Sequence, residues 1–315
     1  IGISSTSLIV EVSSERHAPR CCKCGVESIT KSIWFLIVVW HQLVAFPSIV
    51  NATVNTKTNV LDNASINSKE IVLNSENNFV TGSEKISHNS YGANYGGFAG
   101  SGNESKQHIT ANSEVNIGKA AKLNASDSIR IDANTIYNLS NKVLSKGAGV
   151  GIHPYCTADN DLTINNLVTT AEKSELFTDG IDADINIGTY NDYNANLESK
   201  AEVQGSAGGS TKSTSSFALN NTNKVDISGS IKSYHDVNIY TNKDSEGKNS
   251  KIYTNLSSEA YTKSLISWST DAILKNNSKR NNYINVNSTG SVESVRHATL
   301  YAAQSAEKYD LSAKE

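Results

Sequence analysis

The chain has 315 residues, and small polar side chains dominate it: 37 Asn, 44 Ser and 23 Thr make up a third of the sequence. A formal net charge of -3 excludes a basic surface for nucleic acid. After residue 52 the only arginines are Arg130, Arg280 and Arg296, which disfavours bidentate recognition of phosphate or carboxylate ligands. Ile and Val outnumber Leu by 48 to 18, and β-branched side chains favour pleated sheets. The composition therefore predicts an all-β chain with a thin core.

The first predicted element is a leader in residues 1–52. Residues 33–46 form an apolar run that is too short to span a membrane, which takes about 20 residues. Basic residues precede it, and Val50-Asn51-Ala52 offers a small residue after which signal peptidase would cut. We predict an export signal; a buried segment of the folded body and untranslated sequence read as protein are the alternatives. Because the sequence contains no Met, we also expect a fragment of a longer product or a reading that begins upstream of the true start.

Three cysteines in this leader, Cys21, Cys22 and Cys24, are candidate zinc ligands. A structural zinc site takes four ligands, usually as two separated Cys-x-x-Cys pairs, and the second pair is missing. The sequence therefore predicts no metal site and no cofactor here. After removal of the leader, Cys156 would be the single cysteine and could form no internal disulfide.

The remaining residues, 53–315, carry short apolar-polar-apolar pulses. From Ile109 onward their centres lie about seven residues apart, and the alternation predicts strands with one buried face. Similar pulses recur later and, more weakly, earlier: Ile71-Val72-Leu73, Leu162-Thr163-Ile164, Ile185-Asn186-Ile187, Val225-Asp226-Ile227, Ile231-Lys232-Ser233, Val237-Asn238-Ile239 and Ile284-Asn285-Val286.

Three such pulses would form one coil of about 21 residues, and stacked coils would pair each strand with its counterpart in the next coil. The predicted fold is a right-handed parallel β-helix. Its stability would come mostly from coil-to-coil ladders and from Asn stacked on Asn at the corners. Three Gly/Ser-rich stretches, 90–105, 147–151 and 205–216, break the pattern. As linkers they would be flexible joints, and as coil segments they would be small-residue strands or excursions from the stack; we favour excursions over true domain breaks.

Several segments resemble repeats of the leukotoxin-type filamentous adhesins, relatives of filamentous haemagglutinin that are exported by two-partner secretion. The sharpest is Asp236-Val237-Asn238-Ile239-Tyr240-Thr241, within residues 225–247; others lie at 159–164, 187–193 and 296–302. The resemblance covers roughly residues 109–310. It implies a secreted rod, retained at the bacterial surface, that attaches to a host-cell protein or glycan and in some relatives kills leukocytes. It also implies an outer-membrane transporter as export partner, although no secretion domain is identifiable here. No catalytic residue carries over.

An enzyme is the rival interpretation, because parallel β-helices also host polysaccharide lyases and hydrolases. The candidate carboxylates are Asp159 with Asp161, and Asp179, Asp182 and Asp184, of which the last two would share a strand face. Asp-x-Asp before an apolar pulse is also typical of a solvated corner, and no arginine lies nearby in the sequence. We therefore predict no catalytic site; a purely structural spacer is the third alternative.

The remaining candidate side chains are histidines, glycines and tyrosines. Gly96-Gly97-Phe98-Ala99-Gly100 lacks the aspartate of the calcium-binding nonapeptide. The histidines are too far apart in sequence to build a metal site or a triad: His88, His108, His153, His235 and His297. Tyrosines would suit sugar or protein contact if exposed, with stacking along the rod as the alternative; they include Tyr190, Tyr193, Tyr234, Tyr240, Tyr253 and Tyr261.

Overall fold

The computed structural model describes residues 3–4, 9–13, 48–78, 86–96, 99–304 and 307–315. Within these ranges all regular structure is β, in one 16-stranded sheet, and no helix is long and apolar enough to cross a membrane. The strands are β1 (Ile3–Ser4), β2 (Ile9–Ser13), β3 (Ser48–Val60), β4 (Ser65–Asn78), β5 (Ile86–Gly96), β6 (Ala99–Ile117), β7 (Lys122–Gly149), β8 (Ile152–Thr170), β9 (Glu175–Thr178), β10 (Asp184–Ile227), β11 (Ser230–Ser233), β12 (Asp236–Thr241), β13 (Lys251–Val286), β14 (Ser291–Ser294), β15 (His297–Ala302) and β16 (Glu307–Lys314).

Parallel pairing defines a long sequence repeat. One ladder position runs from Ser65 through Lys122, Glu175 and Ser230 to Ser291. The spacings of these residues are 57, 53, 55 and 61, so the chain returns to the neighbouring position after more than fifty residues. The predicted coil of about 20 residues is therefore wrong. We call the stretches 65–121, 122–174, 175–229 and 230–290 repeats 1 to 4, and the described residues from 291 onward repeat 5.

The three-pulse pattern nevertheless describes one part of each repeat. Val115 with Ile117, Leu123, and Ile129 with Ile131 all enter the same buried hydrophobic cluster, from β6 and from two stretches of β7. Later pulses join the cluster at equivalent register positions. A turn closed by a backbone hydrogen bond, Ala121 N to Gly118 O, separates the first two pulses and recurs in neighbouring repeats. The pulses thus supply adjacent walls of one dry core.

In repeats 2 and 3 the remaining part runs out along one strand and back along the next, with the two strands face to face. In repeat 2 the Asn141 amide, on β7, donates to Asn160 Oδ1, on β8, at 2.8 Å. In repeat 3 the hydroxyls of Ser199 and Ser215, on the two halves of β10, are 2.9 Å apart. We call these facing strands the two arms, and the place where they meet the apex. The arms enclose a second cluster, which includes Tyr137, Leu162 and Phe217, and they account for the extra length of the repeat.

The Gly/Ser-rich stretches belong to the arms and the apex. Residues 92–96 pair with 145–149, and within 205–216 Gly209 and residues 212–216 pair with both neighbouring repeats. The preference for excursions from the stack was wrong, and the small-residue-strand alternative is the one observed. Gly151 and Gly205 adopt φ of 65° and 68° at the apices of repeats 2 and 3, a left-handed conformation that favours glycine.

Asn stacks on Asn between repeats, but the described pairs lie within strands and not at the corners, where the sequence predicted them. Asn165 donates to Asn112 at 2.8 Å, and Asn112 donates to Asn55 at 2.6 Å, which links β8, β6 and β3 along one outward ladder. Lys-Glu ion pairs run between repeats in the same way, including Lys142–Glu198 at 2.9 Å. Each repeat therefore satisfies polar groups of the next.

The N-terminal predictions remain mostly outside the described residues. The apolar run 33–46 and Cys21, Cys22 and Cys24 lie there, and so do Gly97 and Phe98 of the glycine-rich segment. The predicted leader boundary after Ala52 falls inside β3. Strands β1 and β2 pair with β3 antiparallel, unlike the parallel pairing that joins the repeats.

Candidate functional site

A groove lies on the outward face of the arm that contains β8. Its floor follows the register Lys106–Asp159–Ser216–Lys275, one residue from each of β6, β8, β10 and β13. The neighbouring outward positions add side chains one step further along the strands, so that ten residues line it: Glu104, Lys106, Tyr155, Cys156, Thr157, Asp159, Lys212, Thr214, Ser216 and Lys275. Parallel stacking is what gathers residues from four repeats.

Some charged side chains of this groove form ion pairs and others do not. The Lys106 ammonium pairs with the Glu104 carboxylate at 3.1 Å. Among the described residues, Lys212, Lys275 and Asp159 have side chains that make no ion pair. The Cys156 side chain in the lining is buried, and burial raises the pKa of its thiol to about 11. A thiol with that pKa stays protonated and unreactive at neutral pH.

An aromatic pair adjoins the groove at the apex. The rings of Trp268 and His153 stack with centroids 4.9 Å apart and an interplanar angle of 25°, and His153 Nδ1 lies 2.6 Å from Ser210 Oγ. Trp268 covers Gly208, where an added Cβ would lie 2.9 Å from the indole ring. Although it is held on both sides, Trp268 remains 53% exposed.

Tyr155 continues this aromatic surface into the groove. It is two residues from His153 on the same face of β8, and its ring lies over Gly102 of the preceding repeat, in the space that a Cβ would occupy. Other large apolar side chains near the apices are exposed as well: Tyr91, Tyr95, Val150, Tyr261, Leu265 and Ile266. The apex therefore presents an apolar edge that spans several repeats.

A second cluster occupies the corner before β10 and β12. His235 Nδ1 lies 2.5 Å from Asp184 Oδ1, and His235 Nε2 lies 4.0 Å from Asp182 Oδ1. The Asp236 backbone N–H donates to the same Asp184 oxygen at 3.1 Å. Arg296 then donates Nε and Nη2 to the two oxygens of Asp236, at 3.2 and 3.1 Å. These hydrogen bonds and ion pairs thus form one continuous polar network across three repeats.

The arrangement at this corner is an ion-pair network. Burial opposes ionisation of Asp236, but hydrogen bonds from Arg296 and His297 outweigh it and hold the pKa of this carboxyl below its ordinary value. Asp184, His235 and Asp236 bring three potential ligand atoms within 4.8 Å of one another. Because Arg296 already engages both oxygens of Asp236, a cation binding there would have to displace a guanidinium.

The candidate carboxylates are divided between two surfaces. Asp159 lies in the groove, and Asp161, two residues along β8, approaches His108 at 3.7 Å. Asp182 and Asp184 do not share a strand face, because Asp182 lies in the turn before β10, but both approach His235. Asp179 lies exposed before that turn. No described contact joins the groove carboxylates to the corner.

Sequence reasoning missed both the arginine and the histidine of the corner. Their partners lie 51 to 60 residues away in sequence, a distance that becomes one strand spacing after stacking. The structure places His235 and His297 at this corner, in ion pairs with Asp184 and Asp236 that their sequence spacing did not predict. A repeat length near 57 residues would have identified these partners in the sequence. The spacing of about seven residues between pulses obscured that longer repeat.

The tyrosines split between the surface and the core. Tyr190 and Tyr193 are buried, contrary to a contact role, whereas Tyr234 and Tyr261 are more than 40% exposed. Tyr240 makes an edge contact with Tyr301 of the next repeat, with centroids 6.5 Å apart. This contact is the predicted stacking along the repeats.

A loop between β12 and β13, residues 242–250, folds back across two repeats. Ser245 donates its backbone N–H to Asp132 Oδ1 at 2.8 Å and its hydroxyl to Asp132 Oδ2 at 2.5 Å. The Lys248 ammonium lies 4.7 Å from the centroid of the Tyr190 ring. The loop crosses directly over Gly188, the register partner of Asp132, where a side chain would collide with the backbone of residues 244 and 245.

Gly188→Ala is expected to release this loop, because its Cβ would meet backbone atoms that cannot turn aside. Trypsin cleavage after Lys243 and Lys248, followed by mass spectrometry, should accelerate about tenfold, which corresponds to about 1.4 kcal/mol in the opening equilibrium. Gly100→Ala is the matched control, since the nearest atom to its Cβ would be His153 O at 3.7 Å. Equal cleavage rates in the two variants would contradict the contact.

Comparison of the chain with protein-family models, curated proteins and solved structures finds no match.

Proposed function

We propose that residues 53–315 form the shaft of a secreted bacterial surface adhesin, wound as a right-handed parallel β-helix. Three features support this proposal: the resemblance of residues 109–310 to filamentous adhesin repeats, the in-register parallel stacking of repeats of 53–61 residues, and the one dry cluster shared by successive repeats. Stacking of this kind extends a chain along one axis and displays each outward position repeatedly. The export route would use an outer-membrane transporter.

The exposed apex is the observation that carries a binding role. Trp268 and Tyr155 are large and about half exposed, and each ring packs against a glycine that leaves room for it. Exposed aromatic side chains of this kind are enriched where proteins contact ligands, because they bury a large area at low entropy cost. The shaft would hold such surfaces away from the cell, and repetition would add avidity.

Adhesion of the full chain to host cells tests the proposal. Beads coated with the protein should be retained on cultured epithelial cells or leukocytes, and the soluble chain should compete with them. Beads coated with serum albumin are the control. Retention equal to that of albumin would contradict a binding role and favour a structural spacer.

A polysaccharide-cleaving enzyme is the second candidate, and the corner favours it in one respect. Asp184 holds His235 in one orientation, as a carboxylate does for a general base. Incubation with uronate polymers, followed by the absorbance of unsaturated products and by reducing-end release, distinguishes the two. Product that forms with the natural chain and not with His235→Ala would replace adhesion by catalysis.

A further inference from the structure

The groove is a depression because small side chains line its centre and long side chains line its margins. Thr157, Thr214 and Ser216 form its centre, whereas long side chains flank them on the outer strands. Strands in a sheet lie about 4.8 Å apart, so the span from β6 to β13 covers three strand spacings, or about 14 Å. A depression of this width, lined by hydroxyl groups, matches one or two sugar rings and their hydroxyls.

Two ammonium groups in the groove are available to a ligand. Lys212 and Lys275 are exposed and make no ion pair within the described residues, while Lys106 is engaged by Glu104. The sequence disfavoured anion recognition because arginine is scarce, but lysine serves as a point charge for the same purpose. The Asp159 carboxylate, also without an ion pair, is an acceptor for sugar hydroxyls.

The aromatic surface lies beside these charges. His153 and Tyr155 are about 7 Å apart along one face of β8, and Trp268 stacks on the former. Rings held at fixed positions next to a few polar groups are what a small-molecule site needs for orientation. Ring faces pack against the apolar faces of sugars, and the two lysines would select for a negative charge.

We propose that this groove binds a carbohydrate that carries a carboxylate, such as a uronic or sialic acid. The Lys212 and Lys275 ammonium groups bind the carboxylate, Asp159 and the central hydroxyls bind sugar hydroxyls, and Tyr155 with the Trp268–His153 pair supports the rings. This inference rests on the proposed adhesive function, because it names the ligand class of the shaft.

Calorimetric titration of the full chain tests whether binding requires the carboxylate of the sugar. Oligogalacturonate should bind, and its methyl ester, which differs only in the neutralised carboxylates, should bind about tenfold more weakly or worse. A second arm compares sialyllactose with lactose. The arm with the larger difference identifies whether the source is a uronic or a sialic acid.

Variants locate the binding. Lys212→Ala/Lys275→Ala should weaken acid-form binding at least about tenfold and leave ester binding unchanged, whereas Trp268→Ala should weaken both. Lys251→Ala and Tyr283→Ala are matched controls, since both side chains are exposed and lie outside the groove lining. Circular dichroism of each variant verifies the fold.

Equal affinity for acid and neutral forms in both arms would overturn the inference, as would acid-form binding that the lysine variants leave intact. These failures are separable from failure of the proposed function. Beads that adhere to cells while acidic sugars neither bind nor compete would leave adhesion standing and remove only the ligand class. Binding of acidic sugars without cell retention would support the ligand class and contradict the adhesive function.

Discussion

Asn166→Ala is expected to destabilise the chain by about 3 kcal/mol or more, because several buried polar groups would lose their partners together. The Asn166 amide donates to Tyr190 O at 3.0 Å, to Asn191 Oδ1 at 2.6 Å and to Asn223 Oδ1 at 3.1 Å. Its own oxygen accepts from the Thr135 hydroxyl at 2.6 Å. All these groups lie between the arms, away from water.

Asn165→Ala is the matched control, one residue away on the opposite face of β8. Asn165 donates to Asn112 in a partly buried ladder, and the loss of one such bond costs about 1 kcal/mol. Urea unfolding followed by circular dichroism measures both variants. Similar losses of stability in the two would mean that the interior network contributes no more than the surface ladder.

Asp132→Asn is expected to stabilise the chain at neutral pH and to remove part of its pH dependence. Burial raises the pKa of Asp132 from 3.8 to about 6, assisted by the neighbouring Asp244 and Glu246 and opposed by the hydrogen bonds from Ser245. Asparagine keeps an oxygen that accepts from Ser245 and carries no charge to desolvate. The shift corresponds to about 3 kcal/mol at most.

The direction of this pH dependence follows from the number of protons that the folded and unfolded states bind. Between about pH 4 and about pH 6 the folded state holds a proton on Asp132 that the unfolded state has lost, so stability falls as pH rises through this window. The natural chain and Asp132→Asn should be similar below about pH 4, and the variant should be more stable above about pH 6. Urea unfolding at a series of pH values measures the difference.

Asp179→Asn is the control for this series, because Asp179 is exposed and its described hydrogen bond is made by the backbone alone. It removes one negative charge from the surface and leaves the Asp132 contacts in place. An Asp132→Asn profile parallel to that of the natural chain would show that the carboxyl is solvated and ionises normally.

The core walls were predictable because their signal is local. Ile129 and Ile131 alternate with polar neighbours, and the same pattern at Ile185 with Ile187 and at Val237 with Ile239 identifies equivalent strands. Alternation of burial is a property of any strand with one dry face, whatever it pairs with. The pulses therefore identified the buried faces of these strands correctly.

The arms were not predictable, because their buried positions carry no hydropathy signal. Asn141, Ser199 and Asn166 are fully buried, yet residues of these types read as surface or turn in a sequence. They are tolerated inside because facing strands and neighbouring repeats satisfy their hydrogen bonds. The missed arms explain why the predicted coil was less than half as long as the observed repeat.

Neither surface cluster could be assembled from the sequence, for a related reason. Asp184, His235 and Arg296 are separated by 51 and 61 residues, and the groove draws one floor residue from each of four strands. Strand pairing decides which of these residues meet, and pairing depends on the length of the whole repeat.

By itself, then, the amino-acid sequence determined the β class, the inward residues of the dry core and the stacking of Asn on Asn, since each depends on local alternation and composition. Tertiary structure decided the repeat length, the apex and the neighbours of every charged side chain. The physical reason is that a strand's alternation is set by its own residues, whereas its register is set by partners more than fifty residues away.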